Sequence, residues 1–197
     1  MKRTLTFYML SLALVFTACN SSSKQEEEKK KFIPLEKMNL TSLDEEIGKR
    51  EKALNEDTAN VNRQLAAQLM EAYVVYAERF PNYEEAADRL FKAGELAMGL
   101  GHKVQSIKYF DKVYNDFRDY EKRPYALFMK AFVLENQAMQ YDQAKEVYEK
   151  FLSEFPSHPM ADDAEYSIKN MGKSPEELIR EFERRDSLEK AQKKAAA

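Results

Sequence analysis

Three tetrapeptides, Phe80-Pro81-Asn82-Tyr83, Phe117-Arg118-Asp119-Tyr120 and Phe155-Pro156-Ser157-His158, stand 37 and 38 residues apart. The segments before them align as well. Leu69, Ala72, Tyr73, Tyr76, Ala77 and Phe80 precede the first, and Ile107, Phe110, Val113, Tyr114 and Phe117 the second. Ala144, Val147, Tyr148, Phe151, Leu152 and Phe155 precede the third, at i, i+3, i+4, i+7, i+8 and i+11. That spacing puts them on one face of a helix. A period in the thirties is the mark of a supersecondary unit that buries its apolar face only by stacking on copies of itself.

A second helix is expected ahead of each of the last two. One runs from about Glu84 to Leu100 with Ala87, Leu90, Phe91, Gly94 and Ala97 inward. The other runs from about Pro124 to Met139 with Leu127, Phe128, Ala131, Phe132 and Leu134 inward. Both are apolar over much of their circumference, as helices flanked by neighbours are. Gly94 costs about 1 kcal/mol against alanine in a helix, which a close helix–helix contact would offset. Asn82 and Glu85 have capping-box spacing, and Gly99 and Gly101 end a helix. A helix begun near Met160 closes at Gly172, and Ser174-Pro175-Glu176-Glu177 opens a last one reaching about Lys190. Its Leu178, Ile179 and Phe182 are expected to dock on the preceding pair as a cap. Leu40, Leu43, Ile47 and Leu54 predict one more helix, opening at Thr41 or Ser42. Five glycines, against 44% hydrophobic and 33% charged residues, favour helices over a turn-rich sheet protein.

The third unit, with Phe128, Ala144, Tyr148 and Pro156, resembles the tetratricopeptide repeat in the spacing of its two aromatics, small residue and closing proline. The second keeps Leu90, Gly94, Ser106 and Phe110 but has Arg118 in place of the proline, and the first matches in its second helix only. The resemblance covers about residues 58–172. It implies an all-α fold, a right-handed α-α superhelix of antiparallel helix hairpins. With the stretch Tyr141 to Ile168, it extends to the envelope branch of the family, which includes the BamD-type outer-membrane assembly lipoproteins and the periplasmic partner of the Tol–Pal system. In this family ligand contacts fall on the first helix of each pair. The resemblance thereby implies Phe91, Glu95 and Met98 in the second unit, and Met129, Val133, Asn136 and Gln137 in the third, as a groove for a peptide segment.

The N-terminus reads as an export signal. Lys2 and Arg3 precede an apolar run from Leu5 to Phe16, too short to span a bilayer and laid out like a secretory leader. Phe16-Thr17-Ala18-Cys19 resembles the lipobox of bacterial lipoproteins. That implies cleavage before Cys19 and lipid on this sole cysteine, with more than one acyl chain for stable anchorage. Residues 20–34 begin with a stretch that has no apolar residue up to Lys31, and are expected to be a disordered tether. Its Glu26-Glu27-Glu28 resembles the surface-export signal of Bacteroidetes lipoproteins and reads equally as a solvated spacer. Asn20 after the cysteine favours the outer membrane.

The organisation expected is a leader at 1–18, a lipidated cysteine and tether at 19–34, an N-terminal helix at 35–57, repeats at 58–172, and a capping helix with frayed tail at 173–197. Net charge is −3, and about −5 once Lys2 and Arg3 are removed, which argues against nucleic acid. His102 and His158 fall at turns without metal-ligand company, and Asp162-Asp163 suits a helix N-terminus better than acid–base work. No catalytic motif is present. Neither an enzyme nor a cofactor or metal is expected. The expected partners are envelope proteins or their peptide segments and, through the lipid, the membrane. Two roles follow: an outer-membrane adaptor facing the periplasm that serves an envelope complex, or a surface-exposed lipoprotein accessory to nutrient binding or uptake.

Overall fold

The computed structural model describes residues 33–56 and 62–195. Cys19, the leader and most of the tether lie outside the described residues. Among those described there are eight α-helices, a 3-10 turn at Leu35–Lys37, and no strand. The helices are α1 (Leu40–Glu56), α2 (Arg63–Arg79), α3 (Glu85–Gly99), α4 (Lys103–Asp116), α5 (Arg123–Asn136), α6 (Tyr141–Glu154), α7 (Ala161–Asn170) and α8 (Pro175–Ala195). Each of α1 to α6 packs on the next in the chain. The result is a row of antiparallel hairpins, α1/α2, α3/α4 and α5/α6, followed by α7: the all-α, tetratricopeptide-like solenoid expected from the period.

The apolar spacing explains which face each helix buries. On α6, Ala144, Tyr148 and Phe151 are fully buried, with Val147, Leu152 and Phe155 packed around them. Helices α3 and α5 bury more of their circumference, seven residues each, than α4 and α6, which bury four and three. Aromatic rings link the repeats. Phe91 of α3 meets Phe110 of α4 at 5.4 Å and Tyr125 of α5 at 5.7 Å, and Phe128 meets Tyr148 and Phe151 of α6 at 5.4 and 5.6 Å. Burying such side chains is worth about 1.5–3 kcal/mol each. The close contact expected at Gly94 is there: the Phe110 ring lies where a Cβ would be, with Cε1 2.7 Å away. Beside it the buried Ser106 hydroxyl donates to the Gly94 carbonyl at 2.9 Å.

Several expectations need correction. Helix α1 opens at Leu40, capped by the Asn39 side chain, which accepts from the Ser42 N–H at 2.8 Å. It pairs with α2 and so supplies the first helix of the first hairpin, which its sequence had not revealed. No capping box forms at Asn82 and Glu85: α3 takes Glu84 rather than Asn82 as its cap, and the Glu85 carboxylate accepts instead from Tyr76 Oη at 3.4 Å. Helix α5 stops at Asn136, because Met139 takes a left-handed φ of 55° that ends the helical path. Phe132 is 37% exposed, since α7 covers α5 only in part. The Ser174 box does form: Ser174 Oγ accepts from the Glu177 N–H at 3.2 Å, and Glu177 Oε2 from the Ser174 N–H at 2.7 Å. The helix it opens runs on to Ala195, beyond the expected end at Lys190, and buries nothing fully. Of its three expected docking residues Leu178 is part-buried, but Ile179 and Phe182 are 58% and 64% exposed. The ten-residue α7 is too short to offer them a complete face.

Candidate protein-binding surface

The first helices of the hairpins, α1, α3 and α5, are tied to one another by a polar ladder. Arg89 of α3 is ion-paired to Asp44 of α1 and lies over the Tyr76 ring at 4.3 Å. Lys92 reaches Asp88 at 3.0 Å and Glu51 of α1 at 3.8 Å. Asp88 also accepts from Tyr120 Oη at 2.9 Å and from Lys122 Nζ at 3.2 Å, which joins α3 to the segment entering α5. Burial alone would raise the Asp88 carboxyl, but the hydrogen bonds from Lys92, Tyr120 and Lys122 hold it below its ordinary value. Burial, then the bond to Asp88, drives the Tyr120 hydroxyl up, so it stays a donor. Gln137 completes the ladder, its Nε2 donating to the Met98 carbonyl at 3.1 Å.

This face is open between α1 and α3. A cleft of about 490 Å³ there is lined by Leu54 and Glu51 of α1, Leu69 and Tyr73 of α2, and Lys92, Glu95 and Leu96 of α3. Its lining mixes Leu54, Leu69, Leu96 and the Tyr73 ring with charges of both signs. Tyr73 Oη donates to Glu51 at 2.6 Å, and burial followed by that bond pushes its pKa up. Glu95 differs from the other acids here. It has no ion-pair partner among the described residues. Crowding by the helices desolvates its carboxyl and raises its pKa, although the residue keeps an exposed edge. Such a carboxylate gains from any donor brought to it. A second opening, of about 500 Å³, lies between α5, α7 and the start of α8, with Phe132, Asn136, Met139, Tyr141 and Tyr166 in its wall.

The seven residues expected to contact a ligand divide on burial. Phe91, Met129 and Val133 are 2%, 8% and 0% exposed and belong to the core. Their helices are flanked on both sides, so the positions that line a groove in a more open repeat are covered here. Glu95 and Asn136 are exposed and each lines one of the two openings. Met98 and Gln137 are part-buried and meet each other, filling the face between α3 and α5. Leu54, Tyr73 and Leu96 were missed as lining residues. Their spacing is that of core residues, and only the approach of α1 to α3 turns them into walls.

A third opening, about 930 Å³, lies between the α2–α3 and α4–α5 turns and is lined by Glu84, Glu85, Asp88, Asp116, Asp119 and Glu121 with Arg118 and Tyr83. Among the described residues no group of three or more His, Cys, Asp and Glu is placed to hold a metal ion, and no helix is long and apolar enough to cross a membrane.

Comparison with curated proteins returned no match. The family model of the tetratricopeptide repeat matches residues 125–158, which run from the first turn of α5 through α6 to just past the Phe155-Pro156 exit. The chain therefore carries a tetratricopeptide repeat, set within a row of similar helix hairpins, and such repeats are a fold for binding other proteins.

Proposed function

We propose that this protein is a lipid-anchored scaffold of the cell envelope that binds a segment of a partner protein in the cleft between α1 and α3. The observation that carries the reading is Glu95: a crowded carboxylate without an ion-pair partner among the described residues, beside apolar walls, on the helix face that repeats of this kind use for ligands. The geometry fits a peptide with a small apolar anchor for Leu54, Leu69 and Leu96 and a donor for Glu95. Lipid on Cys19 would confine that cleft near a membrane and raise the effective concentration of partners there. The resemblance to the envelope branch of the family and Asn20 after the cysteine support an outer-membrane adaptor that faces the periplasm and serves the assembly or maintenance of an envelope complex. Glu26-Glu27-Glu28 favours a second reading, a surface-exposed lipoprotein accessory to nutrient uptake.

The test is affinity capture of the full chain from detergent extracts of its own cells, with Leu54→Glu and Glu95→Lys alongside the parent. The expected result is a stoichiometric envelope partner that both substitutions remove. Absence of any such partner, or one retained by both variants, refutes the cleft. Palmitate labelling of the parent and of Cys19→Ser tests the anchor, and equal labelling refutes it. Protease treatment of whole cells separates the two locations, because only a surface-exposed chain is cut.

A further inference from the structure

Charge on this molecule is segregated by sign. The opening between the α2–α3 and α4–α5 turns is lined by six acids and one arginine. A cleft of about 350 Å³ between α7 and α8 is lined instead by four bases and one acid, net +3, on a chain whose net charge is −3. The single acid, Glu181, is already taken: Lys173 Nζ donates to its two oxygens at 3.0 and 2.9 Å. Arg184 and Arg185 act on Glu181 only at longer range. Together with Lys169 of α7, they have no ion-pair partner among the described residues. Farther along α8, Lys190 and Lys193 are paired to Asp186 and Glu189. Cations gathered around one cleft without a counter-charge repel one another, and an anion placed between them relieves that.

The two walls are also matched in kind. On α7, Tyr166 and Lys169 stand three residues apart, and on α8 so do Phe182 and Arg185, so each helix offers a ring and a base on one face. Both rings are open, at 62% and 64% exposure, beside the part-buried Leu178. We infer that this cleft docks an acidic segment of a partner protein, with an apolar side chain against the Tyr166 and Phe182 rings and flanking Asp or Glu carboxylates on Lys169, Arg184 and Arg185. Guanidinium groups take carboxylates in paired hydrogen bonds, which suits the α8 wall. The cleft is at the lower end of the ~300–1,000 Å³ range of ligand sites, room for a few side chains. A basic, aromatic site also suits an anionic bilayer, but two features favour a segment. The bases line a concave cleft, and acids stand close by, with Asp162 and Asp163 opening α7 and Glu176 and Glu177 opening α8. A flat anionic surface would face those acids as well, whereas a narrow chain meets the cleft alone. The site shares no residue with the cleft at Glu95 and does not depend on that reading.

The test is selection of a random displayed-peptide library on the detergent-solubilised full chain, repeated on Arg184→Gln with Arg185→Gln and on Glu95→Lys. The expected result is a class of peptides in which acids flank a Leu, Phe or Tyr, kept on Glu95→Lys and depleted on the arginine variant. By fluorescence anisotropy, a labelled member of that class is expected to bind the arginine variant about tenfold more weakly than the parent, and the parent more weakly as salt is added. Lys169→Gln and Phe182→Ser each weaken it in the same direction. All four side chains are exposed, so the variants keep the helical circular dichroism of the parent; if one does not, the others decide. Absence of an acidic class, or one that binds every variant as tightly as the parent, overturns the proposal. A class lost on Glu95→Lys places the segment in the other cleft and overturns it as well. So do phosphatidylglycerol vesicles bound through Arg184 and Arg185 with no acidic class selected, which would make the cleft a membrane face.

Discussion

Replacing Gly94 by alanine sets two terms of opposite sign against each other. Helix propensity alone predicts a gain of about 1 kcal/mol. The added Cβ, however, falls 2.7, 2.9 and 3.0 Å from Cε1, Cδ1 and Cζ of Phe110, well inside the ~3.5–4.0 Å optimum for carbon pairs. Phe110 cannot swing aside: it is fully buried, with its ring against Phe91. Forcing a methyl into a filled core costs about 1–3 kcal/mol, so the clash wins and the net loss is about 1 kcal/mol. In a chain of this size that lowers the melting temperature by about 2–4 °C. In a Phe110→Val background, which lacks Cδ1, Cε1 and Cζ, the sign reverses and Gly94→Ala gains about 1 kcal/mol. Urea titrations of the four proteins by circular dichroism give the coupling, expected near 2 kcal/mol. A Gly94→Ala protein as stable as the parent, or a coupling below about 0.5 kcal/mol, refutes the idea that helix contact is what requires glycine here.

Glu95 and Asp88 should respond to pH in opposite directions. The Glu95 carboxyl is raised, so its contribution is fully present in acid and is lost as pH rises through its folded value. Glu95→Gln is therefore expected to melt higher than the parent at neutral pH and to match it in acid; equal melting at neutral pH would refute this. Asp88 is held low, so its contribution is present above the ordinary carboxylate range and is lost as pH falls through its folded value. Asp88→Asn should melt lower at neutral pH, with the difference vanishing in acid; a deficit that persists in acid would point to lost packing instead. Met139 holds a left-handed φ that costs a side-chain-bearing residue about 1–2 kcal/mol. Met139→Gly is thus expected to be more stable than Met139→Ala by about 1 kcal/mol in urea titrations, and equality would show that the turn is not strained.

Much of the architecture was legible from the aromatic that closes each second helix. Phe80, Phe117 and Phe155 all serve as C-caps, each N–H bonded to the carbonyl four residues back. The Ser174 box was legible for the same reason, since both of its partners are local. Asn82 and Glu85 have the same local spacing but form no box, because the helix takes Glu84 as its cap and the Glu85 carboxylate accepts instead from the Tyr76 hydroxyl. The site was less legible. Glu95 could be placed by its position in the repeat, whereas Phe91, Met129 and Val133 occupy equivalent positions and are buried.

The amino-acid order by itself determined the helices, their inward faces and the hairpin repeat, because these depend on spacing along a few turns of one helix. Which apolar residues form core, which form cleft walls and which stay bare at the end of the row was decided only by tertiary structure. Burial is a relation between helices: Phe128 and Phe182 share an equally oily side chain, and only the presence or absence of a neighbour separates them.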